Sequence, residues 1–249
     1  MGANDWQELD GSLDKSSEID RGNSTTMLDP DGNPTTYGFA SRAIVNGAAG
    51  LYCVNTMVMS GANMFNPLIK GFPTEGAPTG GRIQGLIQRG ASGGTTGFAP
   101  MLFIMLTGTA TADRGYLLGL SDSSPHRIIL RKGSILEGIP DSPVGTDGVL
   151  ARGTSLFPGE TWHQLRLDAV LNENGDVTLV CRQSDIGVQG MEDPVWRHIP
   201  GIGESFIDDA LGVQSGSTPL AGGRIGFAFQ CSDVARRAFF TRLTLFRQL

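Results

Sequence analysis

The chain is poor in the residues that usually announce a chemistry. Among its 249 residues are 3 cysteines, 3 histidines and 3 tryptophans. Cys53, Cys181 and Cys231 form an odd, scattered set with no CxxC spacing. That excludes a disulfide framework and a zinc ribbon, and leaves free thiols packed as small hydrophobes. His126, His163 and His198 share no metal-ligand spacing. There is no Gly-x-Ser-x-Gly elbow, and the glycine-bearing stretch 81–94 (GRIQGLIQRGASGG) lacks the Gly-Lys-Ser/Thr of a phosphate loop. The most apolar run, 100–106, falls far short of the ~20 residues a membrane helix needs. Basic residues (19) are outnumbered by acidic ones (25), and no segment concentrates them. Nucleic acid, which demands a positive footprint to displace counterions, is therefore excluded as an expected partner. The first residues, MGANDWQELDG, contain no basic-then-apolar leader, and Trp6 stands where a myristoylation motif has Ser or Thr. The expectation is a protein made in the cytoplasm, without classical secretion or membrane insertion.

What is abundant is glycine and alternation. Glycine, at 36 residues, is about twice its usual ~7% share and is dispersed, which implies many turns. The segment 158–185 (PGETWHQLRLDAVLNENGDVTLVCRQSD) shows the pattern best. Leu165, Leu167, Ala169 and Leu171 share one face and Arg166 and Asp168 the other; Val177, Leu179 and Cys181 then alternate with Thr178 and Arg182. A period of two is the signature of a strand with one face buried. Asn174-Gly175 between the two runs predicts a type I′ hairpin turn, with positive φ at both residues. Similar runs at 37–45, 50–60, 82–89, 100–108, 115–121, 127–132, 224–231 and 238–247 bring the expected strands to ten. Val234–Leu243 also fits a helical face, but Phe239, Leu243 and Leu245 continue an alternating row, so a final strand is expected there.

The fold class that follows is all-β: a two-sheet antiparallel sandwich over residues 35–249, preceded by a polar, extended N-terminal arm over 1–34. Two long loops are expected, 133–160 and 184–223, the second with a helical turn at 204–211. Loops of that length are uncommon unless they serve an interface or a site. Ile225, Phe227, Phe229 and Cys231 make an apolar row, with Gly226 and Ala228 opposite.

Three segments carry a family resemblance: GYLLGLSDSSPHRIILRKG (115–133), ETWHQLRLDAVLNENGDVTLVCR (160–182) and GGRIGFAFQCSDVARRAFFTRLTLFR (222–247). Together they resemble the concanavalin A-like lectin/glucanase superfamily in its laminin-G-like branch, over about the C-terminal half of the chain. The resemblance implies a jelly roll whose concave face often binds glycan. Enzymes of that superfamily carry Glu-x-Asp-x-x-Glu on one strand, a close carboxylate pair suited to retaining hydrolysis. Here the nearest approach is Glu18 and Asp20 followed by Asn23, whose amide cannot donate a proton as an acid. The resemblance therefore implies a lectin-like rather than catalytic member.

For glycan contact the aromatic candidates are Trp196, Trp162 and Tyr116, the last two also fitting core positions. For metal, Asp29, Asp31 and Asn33 gather hard oxygen ligands, so calcium is the one ion to consider; no other cofactor is expected. The distal Glu of an EF-hand is missing, and Asp-Gly and Asn-Pro are turn formers in their own right. Asp113, Asp122 and Asp193 are alternative calcium ligands. Arginine outnumbers lysine 16 to 3, which suits planar contacts at interfaces. The functional expectation is a non-enzymatic structural or adhesion protein acting by surface contact. It would form homo-oligomers or join other subunits of an assembly such as a virion or phage particle. The alternatives are a carbohydrate-binding lectin-like module and a divergent glycoside hydrolase.

Overall fold

A computed structural model of the chain describes residues 6–8, 27–28, 34–35, 39–46, 52–60, 64–68, 80–89, 98–107, 114–159, 161–184, 195–231 and 237–248. These form strands β1 (Trp6–Glu8), β2 (Met27–Leu28), β3 (Pro34–Thr35), β4 (Phe39–Asn46), β5 (Tyr52–Ser60), β6 (Met64–Leu68), β7 (Gly80–Arg89), β8 (Phe98–Thr107) and β9 (Arg114–Leu120). The series continues with β10 (Ile128–Gly133), β11 (Val149–Arg152), β12 (Trp162–Leu171), β13 (Val177–Ser184), β14 (Trp196–His198), β15 (Phe206–Asp208), β16 (Arg224–Cys231) and β17 (Arg237–Gln248). One short 3-10 turn, Ile135–Glu137, is present. Among the described residues no helix is long and apolar enough to cross a membrane.

The strands pair antiparallel into two large sheets, the two-sheet sandwich expected from the alternation. A nine-stranded sheet runs β14-β13-β12-β7-β17-β5-β4, with β15 also on β13 and β1 on β17. A six-stranded sheet runs β11-β10-β9-β8-β16-β6, and β2 and β3 form a separate two-stranded ribbon. Register fixes which residues meet. β12 lies between β13 and β7, placing Leu167 beside both Cys181 and Ile83. The odd-numbered positions of all three strands therefore face inward: Ile83, Ile87, Leu165, Leu167, Ala169, Val177, Leu179 and Cys181 are almost wholly buried. From the other sheet Leu102, Ile104, Tyr116, Leu118, Leu130, Phe227 and Phe229 meet them in one core. Phe227 packs on Phe240 across the sandwich, ring centroids 4.8 Å apart. Such aromatic pairs add roughly 0.5–1.5 kcal/mol beyond their burial.

The six-stranded sheet is buried on its other face too. Met101, Phe103, Leu117, Ile129 and Ala228 form a second apolar cluster with Ile135 and Ile139, which come from the segment crossing that face. Gly119 makes the crossing possible, since a Cβ there would lie 2.7 Å from the Pro100 carbonyl oxygen and 3.0 Å from Ile139. Arg131 ties the segment down, donating to the carbonyls of Asp147 (2.7 Å), Ser134 (3.1 Å) and Gly138 (3.0 Å), and to the Glu137 carboxylate. The expected loop 133–160 is thus largely a cover with one strand, β11, inside it.

The expected loop 184–223 is also partly strand. β14 and β15 both add to the β13 edge, so the helical turn expected at 204–211 is replaced by the strand Phe206–Asp208. The reason lies in Asp208, whose carboxylate is drawn into the sandwich. Lys132 faces inward from β10 and donates to Asp208 Oδ2 at 2.6 Å, with both side chains wholly buried. Tyr116 donates to the same oxygen at 2.6 Å and accepts from the Leu220 backbone N–H. Lys132 also reaches the carbonyls of Ser217 and Thr218, both at 2.8 Å.

The β12–β13 hairpin corrects one local expectation. Asn172 N–H donates to Asp176 O and Gly175 N–H to Asn172 O, and of the loop residues only Gly175 has positive φ (87°). This is a three-residue loop with glycine in the left-handed position, not a type I′ turn. The strand expected over 238–247 is present as β17; its side of the helix-or-strand choice includes 232–236, which lie outside the described residues.

Replacing Asp208 with Asn should leave the buried Lys132 ammonium without its counter-charge and cost about 3–5 kcal/mol of stability. Adding Lys132→Met in the same chain should recover much of that loss. Urea unfolding of wild type, single and double variants measures both; a single-variant loss under about 1 kcal/mol would show the pair to be dispensable.

Candidate functional site

The outward positions of β7, β12 and β13 carry most of the polar side chains of these strands, beside Leu86, Trp162, Val170 and Val180. Cross-strand register lines them into rungs. One rung is Gln84, Arg166, Arg182 and His198, from β7, β12, β13 and β14. The next, in one direction, is Leu86, Gln164, Ser184 and Trp196; in the other it is Arg82, Asp168 and Val180. On these three strands the face therefore carries three arginines and one carboxylate, although the chain as a whole has net charge −6.

That carboxylate is fully engaged. Arg82 donates from Nε to Asp168 Oδ1 at 2.8 Å and from Nη2 to Oδ2 at 3.0 Å. Arg166 donates from Nε to Oδ1 at 2.9 Å and from Nη2 to Oδ2 at 2.6 Å. Two guanidiniums clamping one carboxylate leave an excess of positive charge and hold both forks in place. The Arg82 guanidinium also sits 5.6 Å from the Phe246 ring centroid, and that of Arg166 lies 5.9 Å from the Trp196 ring centroid. Burial pulls the Arg82 guanidinium below its ordinary value, with Asp168 opposing the shift. Arg182 has no such partner, and its Nε is buried without a hydrogen bond. Ser184, 6% exposed, likewise has an unpartnered Oγ. Guanidinium forks, glutamine amides, a hydroxyl and an indole together suit a ligand rich in hydroxyls or oxyanions.

Of the residues expected to contact glycan, Trp196 lies on this face, half-buried at its edge. Trp162 shares the face but is 4% exposed, and Tyr116 faces the core with its hydroxyl bonded to Asp208. Neither of these two rings offers a surface to a ligand, which corrects their place among the candidates; both are held by packing. Asp29, Asp31 and Asn33 lie outside the described residues, as do Asp113, Asp193, Glu18, Asp20 and Asn23. Asp122 is described; burial pushes its carboxyl above the ordinary range, and among the described residues no group of three or more His, Cys, Asp or Glu side chains converges. Cys181 is a free, buried thiol, pushed far above its ordinary value by burial.

Sequence spacing missed two constellations. One is the arginine ladder, visible only once register aligns β7, β12 and β13. The other is a histidine pair. His163 projects inward from β12 and meets His126, which bridges to Phe157 through paired backbone hydrogen bonds. The two Nε2 atoms are 2.8 Å apart, and Phe157 stacks edge-on against His163 at 4.6 Å. One ring must donate and the other accept. His126 Nδ1 has no partner, and an orphaned acceptor is the cheaper defect, so we assign the donated proton to His126 Nε2. Burial is the main reason both rings are held well below their ordinary range, to about 4 for His126 and about 3 for His163.

No family model matches the chain, and no curated protein matches it. Solved structures do. The chain is similar to the potassium-bound carbohydrate recognition domain of Emp46p at 12% identity and a TM-score of 0.43, covering 96% of this chain and 95% of that one. It is similar to the carbohydrate esterase vb_24B_21 of the Shiga toxin-encoding bacteriophage phi24B at 14% identity and a TM-score of 0.41, covering 90% and 99%. A third is the CBM2 module of the evolved Dit protein of Lactobacillus casei BL23 phage J-1, at 10% identity and a TM-score of 0.32, covering 100% and 91%. These are likenesses of architecture, and the concanavalin A-like resemblance of the sequence is likewise one of fold.

The histidine pair yields a pH prediction. In the unfolded chain each imidazole titrates near 6.5, whereas in the folded chain both stay neutral to about pH 4. The unfolded state therefore binds more protons below 6.5, and stability present above that pH is lost as pH falls toward 4. Thermal unfolding from pH 7.5 to 4 should show a falling Tm, with the slope flattened in His163→Gln. An equally steep slope in the variant would show that other groups dominate.

Proposed function

We propose that this chain is a non-catalytic binding module that acts by surface contact and takes a saccharide on the outer face of its nine-stranded sheet. The observation that carries the reading is the asymmetry of the two outer faces. The six-stranded sheet is apolar outside and covered by its own chain, whereas the other sheet carries the half-buried Arg82, Gln84, Arg166, Arg182 and Trp196 together. A packing surface has no use for that set of donors beside an indole; a polyhydroxylated ligand does. The carboxylate on these strands, Asp168, is bonded through both oxygens to Arg82 and Arg166, which suits an organising role rather than proton transfer.

A second reading, a subunit of a larger assembly such as a virion, is favoured by a separate observation. Val195 (66% exposed), Leu211 (84%) and Val213 (77%) stand out from the loops that flank β14 and β15. Apolar side chains that open to water are compatible with contact to another subunit. The two readings combine readily, since adhesion proteins present binding faces on oligomers.

Isothermal titration of the chain with a panel of oligosaccharides tests the first reading. Binding is expected for at least one class, and Trp196→Ala should weaken it roughly ten-fold, the loss of one aromatic contact. Absence of heat across the panel at millimolar ligand would reject it. Size-exclusion chromatography with light scattering tests the second, for which a stable oligomer is expected and a monomer at all concentrations would be contrary.

A further inference from the structure

The rung formed by Arg166 and Arg182 is electrostatically unfinished. The two residues are direct cross-strand partners on the outer face. Side chains so placed stand about 5 Å apart at Cβ, and like charges there are destabilising. Arg166 is compensated through Asp168, but both oxygens of that carboxylate are already taken by Arg166 and Arg82. Arg182 is half-buried, its Nε is shielded from solvent, and it makes no hydrogen bond or ion pair among the described residues. A second unfinished group lies one rung along on the same strand and face. Ser184 is 6% exposed, and its Oγ is buried without a partner. Beside it on β14 stands Trp196, already facing the Arg166 guanidinium. Buried polar groups are ordinarily satisfied, so two orphans on adjacent rungs, one of them a guanidinium, mark a place where a partner is missing.

We propose that Arg182 and Ser184, with Arg166 and Trp196 beside them, form a subsite for the oxyanion of an acidic saccharide. The inference rests on the saccharide reading and adds its charge class. A carboxylate or sulfate ester accepts from the Arg182 fork and from the Ser184 hydroxyl, and its negative charge relieves the Arg166–Arg182 repulsion. Guanidinium matches either oxyanion, because both present two coplanar acceptor oxygens to a pair of parallel N–H donors. The sugar ring that carries the charge then lies toward Trp196 and the amide of Gln84, which addresses hydroxyls. Asp168 already holds Arg82 and Arg166 in place, so only Arg182 has to be ordered on binding.

Trigalacturonate, its fully methyl-esterified form and a sulfated trisaccharide, each titrated calorimetrically into the full chain, separate the alternatives. The free acid or the sulfated sugar should bind at least ten-fold more tightly than the ester, and Arg182→Gln should remove that difference. Ser184→Ala should weaken the acid and leave the ester unchanged. Without ligand, Arg182→Gln should melt no lower than wild type, because it removes a repulsion; a marked drop would show a structural role and overturn the proposal. Binding of the ester as tight as that of the acid, insensitive to Arg182→Gln, would overturn the oxyanion subsite while leaving the saccharide reading intact. The reverse failure is also visible. If no saccharide binds, yet inorganic sulfate raises the Tm of wild type and not of Arg182→Gln, the oxyanion subsite stands and the saccharide reading falls.

Discussion

The structure depends on the register of β12 between β7 and β13. With Leu167 aligned on Ile83 and Cys181, one parity of side chains on three strands meets the opposing sheet and excludes water. The other parity is thereby committed to the outside, and it is there that Arg82, Arg166, Arg182 and Asp168 stand together. A slip of one residue would drive those arginines into the core and turn Leu165 and Leu167 outward. Core and candidate site are thus two faces of one alignment, which the burial of inward leucines holds and the outward residues exploit.

Charge inside the sandwich is handled differently from charge on its face. Lys132 and Asp208 are buried as a pair, and the lysine's remaining donors are spent on backbone carbonyls of the segment that follows β15. Arg131, one residue earlier and on the opposite face, does the same for the segment that covers the six-stranded sheet. Adjacent residues of β10 therefore fasten two long connections from opposite sides. The histidine pair reaches the same end without charge, staying neutral because its surroundings are too apolar for an imidazolium. Arg182 breaks this pattern, being half-buried with an Nε that has no hydrogen bond, and the proposed subsite is built on that exception.

Period-two alternation made the central strands legible from sequence, and β12 and β16 have the bounds that their alternating runs suggested. The missed strands have physical reasons. β6 contains Asn66 and Pro67, and it lies at the sheet edge, where a missing N–H costs no ladder bond. β14 and β15 have three residues each and pair along the β13 edge, where the buried Asp208 anchors β15. The candidate site was less legible still. Tyr116 and Trp162 stood out as aromatics, but burial removes them, while the arginines attracted notice only as a compositional bias. Their meeting depends on pairing between β7 and β12, strands separated by more than seventy residues of chain, which no local spacing encodes. The His126–His163 contact escaped for the same reason.

The proposed ligand position is across the outward rungs of β12 and β13, not on the loops. A nuclear magnetic resonance titration with an acidic oligosaccharide tests this most directly. Shifts should concentrate at Gln164, Arg166, Arg182, Ser184 and the Trp196 indole, with the core signals of Leu165 and Leu179 little changed. Shifts confined to residues 205–220, with that strand face silent, would contradict it.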